Sequence, residues 1–127
     1  MENLKIEATK YTPEISLNAE KGLISIVGKS YPENTFEFYE PVMKWIPSYF
    51  ETSPKDKTII DFEIIYFNSS SSKLFFDFFD LIEEASEKCT IEINWIYDEE
   101  NESALEAGED FKEDFESLNF NLVKKAN

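Results

Sequence analysis

The sequence predicts an α/β fold: one domain, a mixed β-sheet with an N-terminal hairpin, and about three helices in the order β-β-α-β-α-β-α-β. Three observations carry this prediction. Segments with a two-residue apolar period alternate along the chain with segments of helical period. The segment TIIDFEIIYFN is apolar on both of its faces, as expected of a central strand covered on two sides. Hydrophobic residues make up 42% of the 127 positions and aromatics 16%, enough for one core and no more, so a single domain spans 1–127.

Each element follows from its own pattern. LKIEAT alternates Leu4, Ile6 and Ala8 against Lys5, Glu7 and Thr9, and Pro13 interrupts it; this predicts an edge strand or two short pieces reaching Leu17. NAEKG is a turn, and LISIV is the second strand of the hairpin. From Phe38, the residues Val42, Trp45, Ile46 and Tyr49 share one helical face, with Asn34 as N-cap. Pro41 and Pro47 each remove an amide donor, which predicts a kinked helix or a regular one only from about Pro41. ETSPKDK is a polar loop.

In the central strand Ile60, Phe62, Ile64 and Tyr66 line one face, and Ile59, Ile65 and Phe67 the other. The helix KLFFDFFDLIEEA places Leu74, Phe78, Leu81, Ile82 and Ala85 on its apolar face, Phe75 and Phe79 at the margins, and Phe76 among the polar positions. TIEINWIYD alternates as a half-buried strand. ENESALEAGEDFKEDFES is a helix with a narrow stripe of Ala104, Leu105, Gly108, Phe111 and Phe115, and NFNLV is a last strand.

Composition excludes several functions. The chain has no histidine and one cysteine, Cys89, which rules out an internal disulfide, Cys/His zinc sites and imidazole chemistry. Cys89 reads as a small buried hydrophobe. Twelve cationic against twenty-seven acidic residues give −15, so nucleic acid and anionic lipid are disfavoured as partners. The longest apolar runs fall short of the ~20 residues of a membrane span, and MENLKIEATK has no signal-peptide core. No cofactor or metal is expected, and the expected compartment is the cytoplasm.

The stretch YFNSSSSKLFFDFF holds four serines between the central strand and a helix. Asn68 or Ser69 can cap that helix, with the rest as small polar residues of its first turn. The same place also suits a modification. The first amides of a helix lack partners and carry the positive end of its dipole, so a phosphoryl group on an exposed hydroxyl would be accommodated there. Lys73, one turn beyond Ser69, adds a cation, and phosphorylation brings about 1.5 to 2 negative charges to one point.

YFNSSSSKLFFDFFDLIEEA, GKSYPENTFEFYEPVMKWI and WIYDEENE together resemble the SiaC family of bacterial regulatory phosphoproteins, from about Pro13 to Phe120. The resemblance implies a fold similar to STAS domains, the anti-sigma-factor antagonists. It further implies a non-enzymatic role in which the unphosphorylated protein binds and activates a diguanylate cyclase, raising cyclic di-GMP. A Ser/Thr kinase switches it off and a phosphatase restores it. The implied acceptor is Ser69, directly after Asn68, with Ser70 and Ser71 as lesser candidates. Around it, the expected partner contacts are Tyr31, Pro32, Glu33, Asn34, Asn68, Ser70, Lys73 and Phe76.

Blander readings accompany these. Tyr31 to Asn34 also make a turn and cap, and Phe76 can be a local excursion of a wide core. The ten acidic residues from Asp98 to Glu116 read as a solvated helix face. DEENESALEAGE fails as a calcium loop, because Gly108 comes too late. Two other functions stay open: an antagonist that sequesters an anti-sigma factor, and a small enzyme using acidic surface residues.

Overall fold

The computed structural model describes residues 2–52 and 56–125. Nine elements follow in the order β1 (Leu4–Ile6), β2 (Glu14–Asn18), β3 (Leu23–Ser30), α1 (Thr35–Thr52), β4 (Lys57–Phe67), α2 (Ser69–Ala85), β5 (Thr90–Asp98), α3 (Glu102–Asp114) and β6 (Asn119–Lys125). The expected α/β order holds, with the opening strand resolved into two pieces, β1 and β2, on either side of Pro13. Of the polar loop ETSPKDK, residues 53–55 lie outside the described residues.

The six strands form one sheet in sequential order, β1-β2-β3-β4-β5-β6. β1, β2 and β3 pair antiparallel; β3, β4, β5 and β6 pair parallel, with one helix in each crossover. Parallel crossovers are right-handed, so three of them stepping in one direction put all three helices on one face of the sheet. Burial follows this layout. Thr58, Ile60, Phe62 and Ile64 of β4 are buried, while Ile59, Asp61, Glu63 and Ile65 between them are half-buried or exposed.

The expectation that β4 is covered on two sides is therefore wrong. Its second face stays open and is bridged by polar groups. Asn94 donates to Asp61 (2.9 Å), and Lys57 and Lys125 pair with Glu92 and Glu63 at 3.1 and 2.9 Å. Isoleucines on that face misled the periodicity argument, since a parallel strand with one open face can still carry branched residues for their fit to a pleated surface.

The core is aromatic. Phe62 of β4 meets the rings of Phe75, Phe78 and Phe79 of α2 at 5.1–5.4 Å and that of Trp95 of β5 at 5.7 Å. Phe79, marginal by periodicity, is fully buried. α1 runs unbroken from Thr35, well ahead of Pro41, and holds both prolines. Pro41 is exposed, so the carbonyl that loses its donor, four residues earlier, faces solvent. Cys89 is half-buried and sits one residue ahead of β5. Among the described residues no helix is long and apolar enough to cross a membrane.

Candidate functional site

The serine junction lies at the carboxyl edge of the parallel strands, where sites gather in open α/β sheets. A β-bulge shapes its approach. Gly28 pairs with Ile64 but Lys29 pairs with Tyr66, so Ile65 has no counterpart in β3. The extra residue inverts the faces beyond it. Tyr66, expected beside Ile64 on the core face, is 57% exposed, whereas Phe67 turns inward onto Phe75 and Trp95. Gly28 enables this with φ at +129°, a value that side-chain-bearing residues rarely adopt.

Asn68 then ends the extended run and caps α2. Its backbone is extended, and its side-chain oxygen accepts from the Ser71 amide at 2.9 Å. Ser69 is thus the first helical residue, and the four serines have different fates. Ser69 and Ser70 are exposed, Ser72 is half-buried, and Ser71 is fully buried. No hydrogen bond engages the Ser69 hydroxyl among the described residues. Lys73, one turn further on, is exposed and has no ion-pair partner among the described residues.

Ser71 belongs to a buried chain of hydroxyls joining three elements. Its hydroxyl donates to the Ser30 carbonyl at the end of β3 (3.0 Å). Its oxygen therefore accepts from the Ser30 hydroxyl at 2.7 Å, whose oxygen accepts from the Tyr39 phenol of α1 at 2.6 Å. The Ser30 carbonyl also receives the Asn68 amide at 3.1 Å. Burial pushes the Tyr39 phenol far above its ordinary range, the Ser30 contact only partly opposing this, so it stays a donor. With its oxygen sealed in this chain, Ser71 is withdrawn as an acceptor. The chain explains why the run needs more hydroxyls than a cap does.

The SYPEN turn adjoins this junction through Ser30. Tyr31 is half-buried, its ring edge-on between those of Tyr11 (5.3 Å) and Tyr66 (5.4 Å). Pro32 is buried, so it shapes the turn and offers no contact surface. Glu33 and Asn34 are exposed, and Asn34 caps α1 by accepting from the Glu37 amide at 3.1 Å. Phe76 is 41% exposed, its ring 4.9 Å from that of Phe115.

Ser69, Lys73 and Phe76 line one side of a groove of about 860 Å³ whose other side is α3, with Phe67, Ala107 and Phe111 among its apolar groups. Sequence reasoning missed Ser30, Tyr39 and this α3 wall. Ser30 carries no periodic signal, although it stands inside the GKSYPEN segment, and Tyr39 falls on the apolar stripe of α1, where nothing in the period marks its phenol as a hydrogen-bonding group. The third needs the packing of α3 against α2.

Residues 6–125 match the family model described as SiaC family regulatory phosphoprotein. The chain belongs to this family. Its relatives include an uncharacterized protein of Pseudomonas aeruginosa (strain UCBPP-PA14), 35% identical over 115 residues that make up 90% of each chain. Among solved structures, it is similar to SiaC of Pseudomonas aeruginosa with a TM-score of 0.86 at 31% identity, covering the whole of both chains. It matches equally well a chain in the crystal structure of the diguanylate cyclase SiaD in complex with its activator SiaC from that organism. There the TM-score is 0.86 at 33% identity, over 98% of this chain and 99% of that one. The family read from three motifs thus extends over almost the whole length.

Proposed function

We propose that this SiaC-family protein is a non-enzymatic switch of the cytoplasm. Its unphosphorylated form binds and activates a diguanylate cyclase, and phosphorylation of Ser69 ends that binding. A Ser/Thr kinase adds the phosphate and a phosphatase removes it.

One observation supports the assignment to Ser69 above all. It is an exposed hydroxyl with no hydrogen bond among the described residues, at the first position of a helix whose cap is already supplied by Asn68. Transfer of a phosphoryl group to it breaks no contact of the fold. The product dianion would lie at the positive end of α2 with Lys73 one turn away. Ser70 is also exposed, and the family resemblance favours the hydroxyl directly after the asparagine. The similarity to a chain from the SiaD–SiaC complex supports the cyclase as partner.

The test combines mass spectrometry with binding. After incubation with the cognate kinase, phosphate should map to Ser69. Ser69→Ala should bind and activate the cyclase as the wild type does, and Ser69→Asp should bind at least tenfold more weakly. Equal activation by the two variants would remove Ser69 from the switch. Recovery of an anti-sigma factor in place of a cyclase would decide for the antagonist reading.

A further inference from the structure

Four serines in a row leave the start of a helix undetermined by local chemistry. Serine caps a helix about as well as asparagine, so Asn68, Ser69 and Ser70 are near-equivalent caps for α2. Which of them serves decides which hydroxyl is free. A cap hydroxyl is engaged by an amide two or three residues on, and the next hydroxyl is not. Successive helical residues also point about 100° apart, so moving the cap by one turns a different oxygen toward any one approach.

The cap is Asn68, and the residue that fixes it there lies in another element. Ser30, the fully buried last residue of β3, grips both ends of the capping turn. Its carbonyl receives the Asn68 amide at 3.1 Å and the Ser71 hydroxyl at 3.0 Å. Its own hydroxyl reaches the Ser71 oxygen at 2.7 Å. Asn68 and Ser71 are also the two residues that the cap joins, at 2.9 Å, so cap and clamp close on the same pair. A cap at Ser69 would need extended backbone there, which lengthens the path from Asn68 to Ser71. The two could then no longer share one carbonyl, and that buried group would be left underserved.

We propose that Ser30 and Ser71 select the phosphoacceptor: they hold the start of α2 at Asn68, so that Ser69 and not Ser70 is the hydroxyl presented to the kinase. The inference rests on the reading of Ser69 as the switch residue and adds what chooses it. Neither serine touches the phosphoryl group, so both are positioning residues. In the transfer, the Ser69 oxygen bonds to the γ-phosphorus of a nucleoside triphosphate. The bond from that phosphorus to the β-phosphate oxygen breaks, nucleoside diphosphate leaves, and the hydroxyl proton passes to a base of the kinase. Attacking and leaving oxygens must stand roughly in line, which a helix start that slips by one residue does not allow.

Incubation of the full chain with its cognate kinase and ATP, followed by site-resolved mass spectrometry, tests this. The wild type should carry at least tenfold more phosphate on Ser69 than on Ser70. Ser71→Ala should bring the two within threefold, and Ser30→Ala, which keeps the carbonyl, should move the ratio the same way by less. Ile82→Val, a core truncation at the far end of the same helix, should keep the wild-type ratio although it also loses stability. Amide hydrogen exchange reads the clamp without the kinase. The Ser71 amide should exchange no more than tenfold faster than that of Phe78 in mid-helix, and at least tenfold faster again in Ser30→Ala. An unchanged ratio in both serine variants, an equal shift in Ile82→Val, or a wild-type Ser71 amide that exchanges like a frayed end would each overturn the proposal. If Ser71→Ala does not fold, Ser30→Ala decides by the same two readings. Wild-type phosphate away from Ser69 defeats the switch assignment and the selection with it. Phosphate on Ser69 alone, in the wild type and in both serine variants, defeats the selection only.

Discussion

The hydroxyl of Ser71 and that of Ser69 are two residues apart and do opposite things. Ser71 closes a sealed chain running Tyr39, Ser30, Ser71 and back to the Ser30 carbonyl. Ser71→Ala should therefore leave a buried donor and a buried carbonyl underserved and destabilise the fold by about 1–3 kcal/mol. Chemical denaturation checks this, with a lowered midpoint at unchanged slope. Tyr39 gives the same chain a pH signature. Its phenol is raised in the folded state above the ordinary 10.0, so the folded protein holds this proton more tightly than the unfolded chain does. The contribution is complete below pH 10.0 and declines as pH rises past it, through the folded value. Tyr39→Phe should flatten the alkaline loss of stability in a pH series, and the wild type should lose more than the variant. The serine run was legible in the sequence as a cap and a candidate acceptor. Which serine is buried was not, because that depends on Ser30, forty-one residues away in the chain.

At the scale of elements, two glycines fix where the helices and the junction sit. An added Cβ at Gly108 of α3 would come within 2.4 Å of the Trp95 ring and 2.9 Å of Leu122, so α3 seats on β5 and β6 only because that position is bare. Gly108→Ala should cost about 1–3 kcal/mol through overpacking, read as a lower melting temperature. It should also change tryptophan fluorescence, since the Trp95 indole donates to the Ala104 carbonyl of the same helix at 2.9 Å. Helical period placed Gly108 in the apolar stripe from sequence alone, but the reason for glycine there is a contact between elements. The bulge opposite Gly28 is the clearest case of what periodicity misses. A two-residue repeat assigns Tyr66 and Phe67 correctly only if register is unbroken, and one unpaired residue in β4 exchanges them. α1 shows the converse: its prolines argued for a kink or a late start near Pro41, yet the helix begins at Thr35, and its buried stripe of Tyr39, Val42, Trp45, Ile46 and Tyr49 holds it to the sheet.

For the whole molecule, the α/β order and the buried stripes were readable because burial follows period. The open second face of the sheet was not, since it depends on all three crossovers having one hand and one direction. That face carries acid-sensitive contacts. Glu92 is held below the ordinary carboxylate range by the Asn94 amide and then by Lys57. Its contribution to stability is present above the ordinary value of 4.5 and is lost as pH falls through its lowered folded value. Glu92→Gln should make the acid branch of the stability profile shallower, while leaving the alkaline branch set by Tyr39 in place. Charge at the same scale bears on binding. With −15 overall, binding of a partner through a cationic surface should weaken as ionic strength rises.

The most direct measurement of the central claim is cyclase affinity for the chain before and after stoichiometric phosphorylation by its kinase, with the modified residue mapped in the same sample. A single phosphate on Ser69, a loss of affinity of at least tenfold, and full recovery on dephosphorylation are predicted. Phosphate confined to another residue, or undiminished binding by a chain fully phosphorylated at Ser69, would contradict the account.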